Sequence, residues 1–247
     1  MDIDLYKELY ETEKIGWWDT SRRNLIMNRI KLISNFKEKP YILDFGCGTG
    51  GMLEELQEFS VAYGCDKEDI AIEFCGKRGL TNIVKIRDKT IPFKDNYFDI
   101  VIALDVLEHI EDDFFNICEL NRVLRHKGFL LITVPAFMLL WTTRDKRLHH
   151  FRRYNKKPLA NKLKDAGFII RKCTYMHFFY FIPLLIIYKL KYLINRKNKV
   201  SDIKTNYSKV PRLINSFLIK ILNFESFLMK YINFPFGVSI FCIAQKS

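Results

Sequence analysis

Apolar residues are spaced in two ways along this chain, and the alternation between them predicts an α/β fold. Seven short apolar segments have the length and composition of strands: 41–45, 60–66, 82–87, 100–104, 128–134, 168–174 and 236–245. Helical spacing separates them, for example over 68–78 and 158–166. The run 100–104 is apolar on both faces, as in a buried parallel strand. This order predicts a parallel sheet covered by helices on both faces.

The pattern also divides the chain into parts. We predict an N-terminal helical lid at 1–39, an α/β core at 40–175, a basic amphipathic helical insertion at 176–235 and a last core strand at 236–247. The lid carries two adjacent tryptophans, Trp17 and Trp18, which cannot both face a core from one helix. We therefore expect at least one of them to cover or stack on a ligand.

The insertion is both basic and apolar. Residues 176–235 contain ten lysines and arginines and two acidic residues, so their net charge is 10 − 2 = +8. This is most of the chain's net charge of +12. An apolar run at 178–188 is too short to span a bilayer and is interrupted by Pro183, whereas 211–232 has amphipathic helical spacing. Two interpretations stay open: the helices cover the sheet edge or form an oligomer contact, or they make an interfacial surface attracted to anionic lipid headgroups.

Cysteine usage and the N-terminus bear on the cellular compartment. The six cysteines are scattered without a Cys-x-x-Cys pair, and Met1 is followed by acidic residues instead of a signal-peptide pattern. We expect a protein of the reducing cytoplasm, with peripheral contact at the inner face of the membrane if the insertion binds lipid.

The clearest candidate for chemistry is the glycine-rich turn after the first strand. Gly46, Gly48 and Gly51 satisfy Gly-x-Gly-x-x-Gly, a dinucleotide pattern, and glycines followed by a helix start let a ligand approach the backbone. Asp44 changes this interpretation, because a carboxylate two residues earlier repels a pyrophosphate and attracts an ammonium or sulfonium. Asp66, 22 residues further on, is placed to bind both hydroxyls of an adenosine ribose. A cofactor with an amino-acid end and an adenosine end fits best.

The chain resembles the class I S-adenosylmethionine-dependent methyltransferases over 41–175. The resemblance is carried by the following motifs: Ile42–Gly50, Asp66, Asp88, Ile91-Pro92-Phe93, Phe98-Asp99, Leu107-Glu108-His109, and Leu124 followed by Gly128-Phe129-Leu130. It implies a Rossmann-like seven-stranded sheet, with six parallel strands and one antiparallel, helices on both faces, and a helical insertion between strands six and seven. It also implies S-adenosylmethionine as cofactor.

The resemblance further implies how the cofactor is held. The methionine end would lie against Asp44 and the turn residues Gly46, Cys47, Gly48 and Gly50. Asp66, with Lys67 beside it, would bind the ribose. Asp88 would accept a hydrogen bond from the adenine amino group, and the Leu104 region would approach the methionine ammonium.

A second resemblance concerns the acceptor. The Trp17-Trp18 and Arg22-Arg23 pairs, with 150–154 downstream, look like a subgroup that modifies glycans or lipid carriers at membranes. The predicted acceptor-binding residues are Trp18, Arg22, Trp141, Arg153 and Tyr154. A hydroxyl acceptor needs a base, and His150 is ranked ahead of His109 because it lies in the loop after strand five.

Other chemistries are less well supported by the sequence. Asp105, Glu108 and His109 are similar to a metal-binding Glu-x-x-Glu-His arrangement of ubiquinone-pathway O-methyltransferases, but acids at a helix start usually serve as caps, and we predict no metal. Neither the Asn/Asp-Pro-Pro-aromatic motif of base-amino methyltransferases nor a Pro-Cys nucleophile is present. These absences argue against nucleic acid as the acceptor.

The sequence therefore predicts a methyltransferase that O-methylates a hydroxyl of a sugar or lipid-linked acceptor at the membrane surface. Two alternatives stay open. One is a soluble small-molecule methyltransferase whose insertion closes the acceptor pocket. The other is a docking protein that binds the cofactor with little turnover of its own.

Overall fold

The computed structural model describes residues 3–33, 38–194 and 210–247, without the side chains of 187–194. The section 195–209 of the predicted insertion lies outside the described residues. The helices are α1 (Ile3–Thr12), α2 (Trp17–Ile33), α3 (Gly51–Leu56), α4 (Asp69–Lys77), α5 (Asp113–Val123), α6 (Thr143–Arg147), α7 (Lys156–Asp165), α8 (Phe178–Ile194) and α9 (Arg212–Leu228). The strands are β1 (Tyr41–Phe45), β2 (Val61–Asp66), β3 (Ile83–Lys85), β4 (Phe98–Leu104), β5 (Leu124–Pro135), β6 (Phe168–Met176) and β7 (Ser239–Lys246).

Within the described residues the strands form one sheet in the order β3-β2-β1-β4-β5-β7-β6. β7 is antiparallel to both of its neighbours, and the other paired strands are parallel. The predicted sheet of six parallel strands and one antiparallel strand is thereby confirmed. β3 is shorter than the predicted 82–87, because this edge strand pairs with β2 at only three positions.

The topology places a ligand crevice at one edge of the sheet. The chain runs outward from β1 through β2 to β3, and then returns to start β4 on the other side of β1. Ligands of open α/β sheets bind at such a reversal, outside the carboxyl ends of the strands. The glycine turn follows β1 here, and Val106 follows β4 so closely that a Cβ on Gly46 would lie 2.5 Å from its side chain.

The N-terminal and C-terminal helices are joined by polar contacts along their length. Asn24 Nδ2 donates to Asn223 Oδ1 at 3.2 Å, and Arg29 Nη2 donates to the Ser226 carbonyl at 2.7 Å. Since both partners advance along the chain together, α2 and α9 run side by side in the same direction. Helix α9 of the insertion therefore packs along α2.

Glu225, buried in the middle of this layer, connects α9 to α8. Its carboxylate accepts the backbone N–H groups of His177 at 2.5 Å and Phe179 at 3.2 Å, at the start of α8. These donors have no partner inside their own helix, so Glu225 acts as an N-cap contributed by another helix. In the described part of the chain, no helix combines the length and apolarity needed to cross a bilayer.

We expect the Glu225→Ala variant to lose about 2 kcal/mol of unfolding free energy, because two buried N–H groups would be left without an acceptor. Glu225→Gln should lose less, since its amide keeps one acceptor oxygen. Urea unfolding followed by circular dichroism measures both. Glu58→Ala, at an exposed carboxylate, is the control, and equal losses in Glu58→Ala and Glu225→Ala would contradict the capping role.

Candidate functional site

A cavity of about 840 Å³ lies over the carboxyl ends of the central strands, under the N-terminal helices. Most residues predicted to bind the cofactor line it: Asp44, Gly46, Cys47, Gly48, Asp66, Lys67, Asp88 and Leu104. Gly50 is absent from the lining. It serves the turn instead, as the N-cap of α3 with φ of +84°, where a Cβ would lie 2.5 Å from Leu80.

The glycine turn leaves its backbone open to the cavity. Gly48 has φ of +54°, and a Cβ there would meet only Leu9, at 3.9 Å. By contrast, a Cβ on Gly51 would lie 2.4 Å from the carboxyl carbon of Glu13. The two glycines therefore serve different purposes, since Gly48 admits a ligand and Gly51 admits a side chain of the N-terminal segment.

Two buried acids on the cofactor side have no lysine or arginine partner among the described side chains. Asp66 accepts the backbone N–H groups of Gly48 and Glu68, each at 3.0 Å, but burial still raises its pKa. Burial also raises the pKa of Asp44 to about 7, with Asp66 and Glu13 adding to the shift and Arg22 opposing it. An electrostatic deficit of this kind is relieved by a cationic ligand.

Glu13, which no sequence pattern indicated, attaches the N-terminal segment to the glycine turn. Its buried carboxylate accepts hydrogen bonds from the Thr49 hydroxyl and from Arg78 Nη2, the latter at 2.5 Å. Arg78 Nε in turn donates to the Thr49 carbonyl at 2.7 Å, and its guanidinium lies over the Tyr10 ring. Only the folded chain brings these groups together, because Glu13 and Arg78 are 65 residues apart.

Arg22 lies in the cavity wall, as an acceptor-binding residue was expected to do. Its guanidinium donates to Asp105, which follows β4, and to Asp19 Oδ1 at 2.9 Å. Thr133 on β5 also donates to Asp105, at 3.0 Å. These contacts join α2 to the carboxyl ends of β4 and β5, and Asp105 forms an ion pair with Arg22.

Asp145 organises the loop after β5. The residue is buried, with about 1% of its surface exposed. Its carboxylate accepts hydrogen bonds from the Thr142 N–H and from His150 Nδ1, the latter at 3.0 Å. It also accepts from Arg153 Nε at 2.8 Å and from Arg153 Nη2 at 3.0 Å. Burial alone would raise the pKa of Asp145, but the hydrogen bonds from His150 and Arg153 outweigh it and hold the pKa well below its usual range. The sequence signal for Asp145 was the Thr142–Asp145 capping box.

His150, His109 and Glu108 meet in the cavity wall. The two imidazole rings pack edge to face with centroids 4.5 Å apart, and His150 Nε2 lies 4.0 Å from Glu108 Oε1. Burial lowers the pKa of His109 to about 3, so this ring is neutral. Glu108 is fully buried, neither of its carboxyl oxygens has a hydrogen-bond partner among the described residues, and burial raises its pKa well above the usual range.

The structure changes which side chains could share a metal ion. Glu108, His109 and His150 have ligand atoms within 4.8 Å of one another, whereas Asp105 of the Asp-x-x-Glu-His motif is paired with Arg22. The motif is not on one helix face, because Leu107–His109 forms a 3-10 turn that precedes α5. This brings His150 to Glu108 across the fold, where the Phe151 N–H donates to the Glu108 carbonyl at 2.7 Å.

The remaining predicted acceptor residues divide into two groups. Trp18 and Arg153 line the cavity, and the Trp18 ring stacks on His177 with centroids 3.9 Å apart, while Trp17 is buried. Trp141 and Tyr154 do not line the cavity. Tyr154 is buried, and its hydroxyl donates a hydrogen bond to Asp113 Oδ2 at 2.7 Å, which joins the loop to α5.

The cavity suits the cofactor that the sequence implied. The buried Asp44 lines the side predicted for the cationic methionine end, Asp66 and Asp88 line the side predicted for adenosine, and Gly48 leaves the backbone accessible. The volume also falls in the range typical of small-molecule sites. The acceptor side, by contrast, is lined by histidines, Glu108 and arginines.

Comparison with known proteins agrees with this geometry. Residues 43–132 match the methyltransferase domain family. An uncharacterized protein of Methanocaldococcus jannaschii is 28% identical over 169 residues, which are 64% of this chain and 68% of that protein. A Mycobacterium tuberculosis protein assigned as an S-adenosylmethionine-dependent methyltransferase is 26% identical over 142 residues, which are 55% of this chain and 52% of that protein.

The fold is shared with solved structures. An S-adenosylmethionine-dependent methyltransferase of Thermotoga maritima superposes with a TM-score of 0.61 at 14% identity, covering 99% of this chain and 96% of that one. The chain thus spans about half the length of the mycobacterial relative and nearly all of the structural neighbour. From the matched residues, the sheet order and the cavity, we conclude that residues 43–132 form a methyltransferase domain, with S-adenosylmethionine as its cofactor.

Proposed function

We propose that this methyltransferase O-methylates a hydroxyl group of a sugar or lipid-linked acceptor at a membrane surface. The observation that carries the hydroxyl is the pair formed by His150 and Asp145 in the cavity wall. An amine or thiolate acceptor can be supplied in its nucleophilic form by solution equilibria, whereas a sugar hydroxyl must lose its proton as it reacts. The site therefore needs a base.

His150 has the arrangement of such a base. The low pKa of Asp145 keeps its carboxylate ionised, so it only accepts hydrogen bonds and His150 Nδ1 carries the hydrogen. Nε2 is the ring nitrogen left to act as the proton acceptor, on the side of the ring that faces Glu108. Arg153 holds Asp145 from its other side, so the ring orientation is fixed before the acceptor arrives.

S-adenosylmethionine, when bound, would supply the methyl group, with the C–S bond breaking as the bond to the acceptor oxygen forms and the sulfur keeping the electron pair. His150 Nε2 takes the hydroxyl proton. Asp44 and Glu13 act earlier, the first by attracting the cationic end of the cofactor and the second by holding the glycine turn and the N-terminal segment together. Alignment of donor and acceptor contributes on the order of 7 kcal/mol or more.

The lining of the cavity also bears on the soluble small-molecule alternative. Helices α1 and α2 cover the cavity, whereas no described residue of α8 or α9 lines it. This supports a role for the insertion outside the acceptor pocket. It leaves the acceptor side bounded by residues from the N-terminal helices and the loop after β5.

Isotopic labelling tests the acceptor. Incubation of the enzyme with methyl-labelled S-adenosylmethionine and an extract of native lipids and glycans should label a glycan or glycolipid, identified by mass. The label should resist alkali, because a methyl ether is stable where a methyl ester is hydrolysed. Label confined to protein or nucleic acid, or released by alkali, would refute the proposed acceptor.

Substitution of the base tests the chemistry. We expect His150→Ala to lower kcat about 10² to 10⁴ fold while the Kd of S-adenosylmethionine stays nearly constant, because only the proton acceptor is lost. His109→Ala is the matched comparison, since it removes a neighbouring ring of the same type and should lose about tenfold or less. A larger loss of kcat in His109→Ala than in His150→Ala would assign the base to His109. An unchanged kcat in His150→Ala would exclude His150 as the base.

The pKa of Asp44 predicts a pH dependence of cofactor binding. Because this pKa lies at about 7 in the free protein, protonation below pH 7 removes the charge that attracts the cofactor, and the affinity should fall by about tenfold per pH unit. Isothermal titration calorimetry across pH measures it. Asp44→Asn should bind weakly at every pH with a flatter profile, and a wild-type affinity that is constant below pH 7 would contradict the role of Asp44.

A further inference from the structure

Helix α9 and the turn after it present a continuous apolar stripe to solvent. Leu213, Phe217, Phe224, Phe227 and Tyr231 are each at least half exposed, Leu213 at 87% and Tyr231 at 74%. Their spacing of four, seven, three and four residues places them on one face of a helix. We call these five residues the α9 stripe.

The α9 stripe is not the side of the helix that packs on the protein. The opposite side is buried, with Leu222, Glu225 and Ser226 facing α2 and α8. Helix α8 adds further exposed apolar side chains at helical spacing, namely Phe179, Ile182 and Ile186. Single exposed apolar residues are ordinary on protein surfaces, whereas a contiguous row of large ones marks a surface that contacts another apolar phase.

The charge around the stripe identifies what contacts it. Arg212, Lys220 and Lys230 are exposed on the same helix or directly after it, and Lys220 lies within the row of the stripe. A second copy of this chain would bring two such positive charges together. An anionic bilayer offers acyl chains to the stripe and phosphate groups to the lysines and arginines.

Helix α9 also contacts the N-terminal segment beside the site, through the face opposite the stripe. Near the start of α9, Asn215 Nδ2 donates to the Ile15 carbonyl and Asn215 Oδ1 accepts the Trp17 N–H, both at 2.9 Å. Gly16 and Trp18, the neighbours of these two residues, line the cavity. Helix α9 therefore separates the stripe from the cavity wall formed by 16–18, at a distance of one helix diameter, ~10 Å.

We propose that the α9 stripe, with the exposed apolar residues of α8 and with Arg212, Lys220 and Lys230, docks the enzyme on an anionic membrane surface. The proposal rests on the proposed function in one respect, because it supplies the place where a lipid-linked acceptor would be met. Docking itself requires neither the cofactor nor turnover.

Co-sedimentation with vesicles tests docking. The full-length protein is mixed with vesicles of phosphatidylcholine, with or without phosphatidylglycerol. We expect sedimentation with the anionic vesicles only, weakened by salt, and a partition coefficient at least about tenfold lower for Phe217→Glu/Phe224→Glu, which puts charge into the stripe. Phe114→Glu, at an exposed phenylalanine of α5, is the matched control and should sediment like the wild type.

The outcomes separate docking from the proposed chemistry. Equal sedimentation of Phe217→Glu/Phe224→Glu and the wild type, or no sedimentation of the wild type, would overturn the docking proposal. A wild-type dimer that the double variant dissociates, without any vesicle binding, would show that a second copy covers the stripe. Vesicle binding that depends on the stripe, in a protein that methylates no hydroxyl, would uphold docking and refute the proposed function.

Discussion

Burial of negative charge at the carboxyl edge of the sheet is the constraint on which the rest of this site depends. Asp44 and Asp66 are carried into the protein by β1 and β2, where desolvation penalises their ionised forms. Backbone N–H groups offset part of that cost for Asp66, and Arg22 offsets part of it for Asp44. What remains is a site that gains stability from a cation, and a sulfonium cofactor with an ammonium group supplies one.

On the acceptor side, Asp145 meets the cost of a buried charge in the opposite way. It is buried, as Asp44 is, yet its carboxylate is surrounded by donors from Thr142, His150 and Arg153. It therefore has no need of a ligand and can serve as a fixed support. Glu108, on the same side of the cavity, has no such donors among the described residues, so the satisfied carboxylate of the acceptor side is that of Asp145, which orients His150 and Arg153.

The sequence predicted the fold and the cofactor because both follow from local patterns. Apolar runs, glycines at a strand end and an acid at a fixed distance are all readable without distant contacts, and Asp44, Gly48 and Asp66 lie where these patterns put them. The acceptor half depends on partners far apart in the chain. Glu13 meets Thr49 and Arg78, and Glu108 meets His150, only through tertiary folding, so no spacing rule indicates them. Tyr154 was predicted to bind the acceptor because it belongs to the 150–154 motif, but its hydroxyl bonds to Asp113 and holds the loop in place.

Gly51 shows that identical motif letters can have different physical causes. In a dinucleotide-binding turn the third glycine allows the helix to pack closely on the strand. In this protein a Cβ at Gly51 would be forced against the Glu13 carboxyl group, a residue of the covering N-terminal segment. The third glycine of the Gly-x-Gly-x-x-Gly match is therefore required by contact with the N-terminal segment, and it does not indicate a pyrophosphate site. Relatives that cover this site with a different N-terminal segment are free to place alanine or serine at this position while keeping the same cofactor.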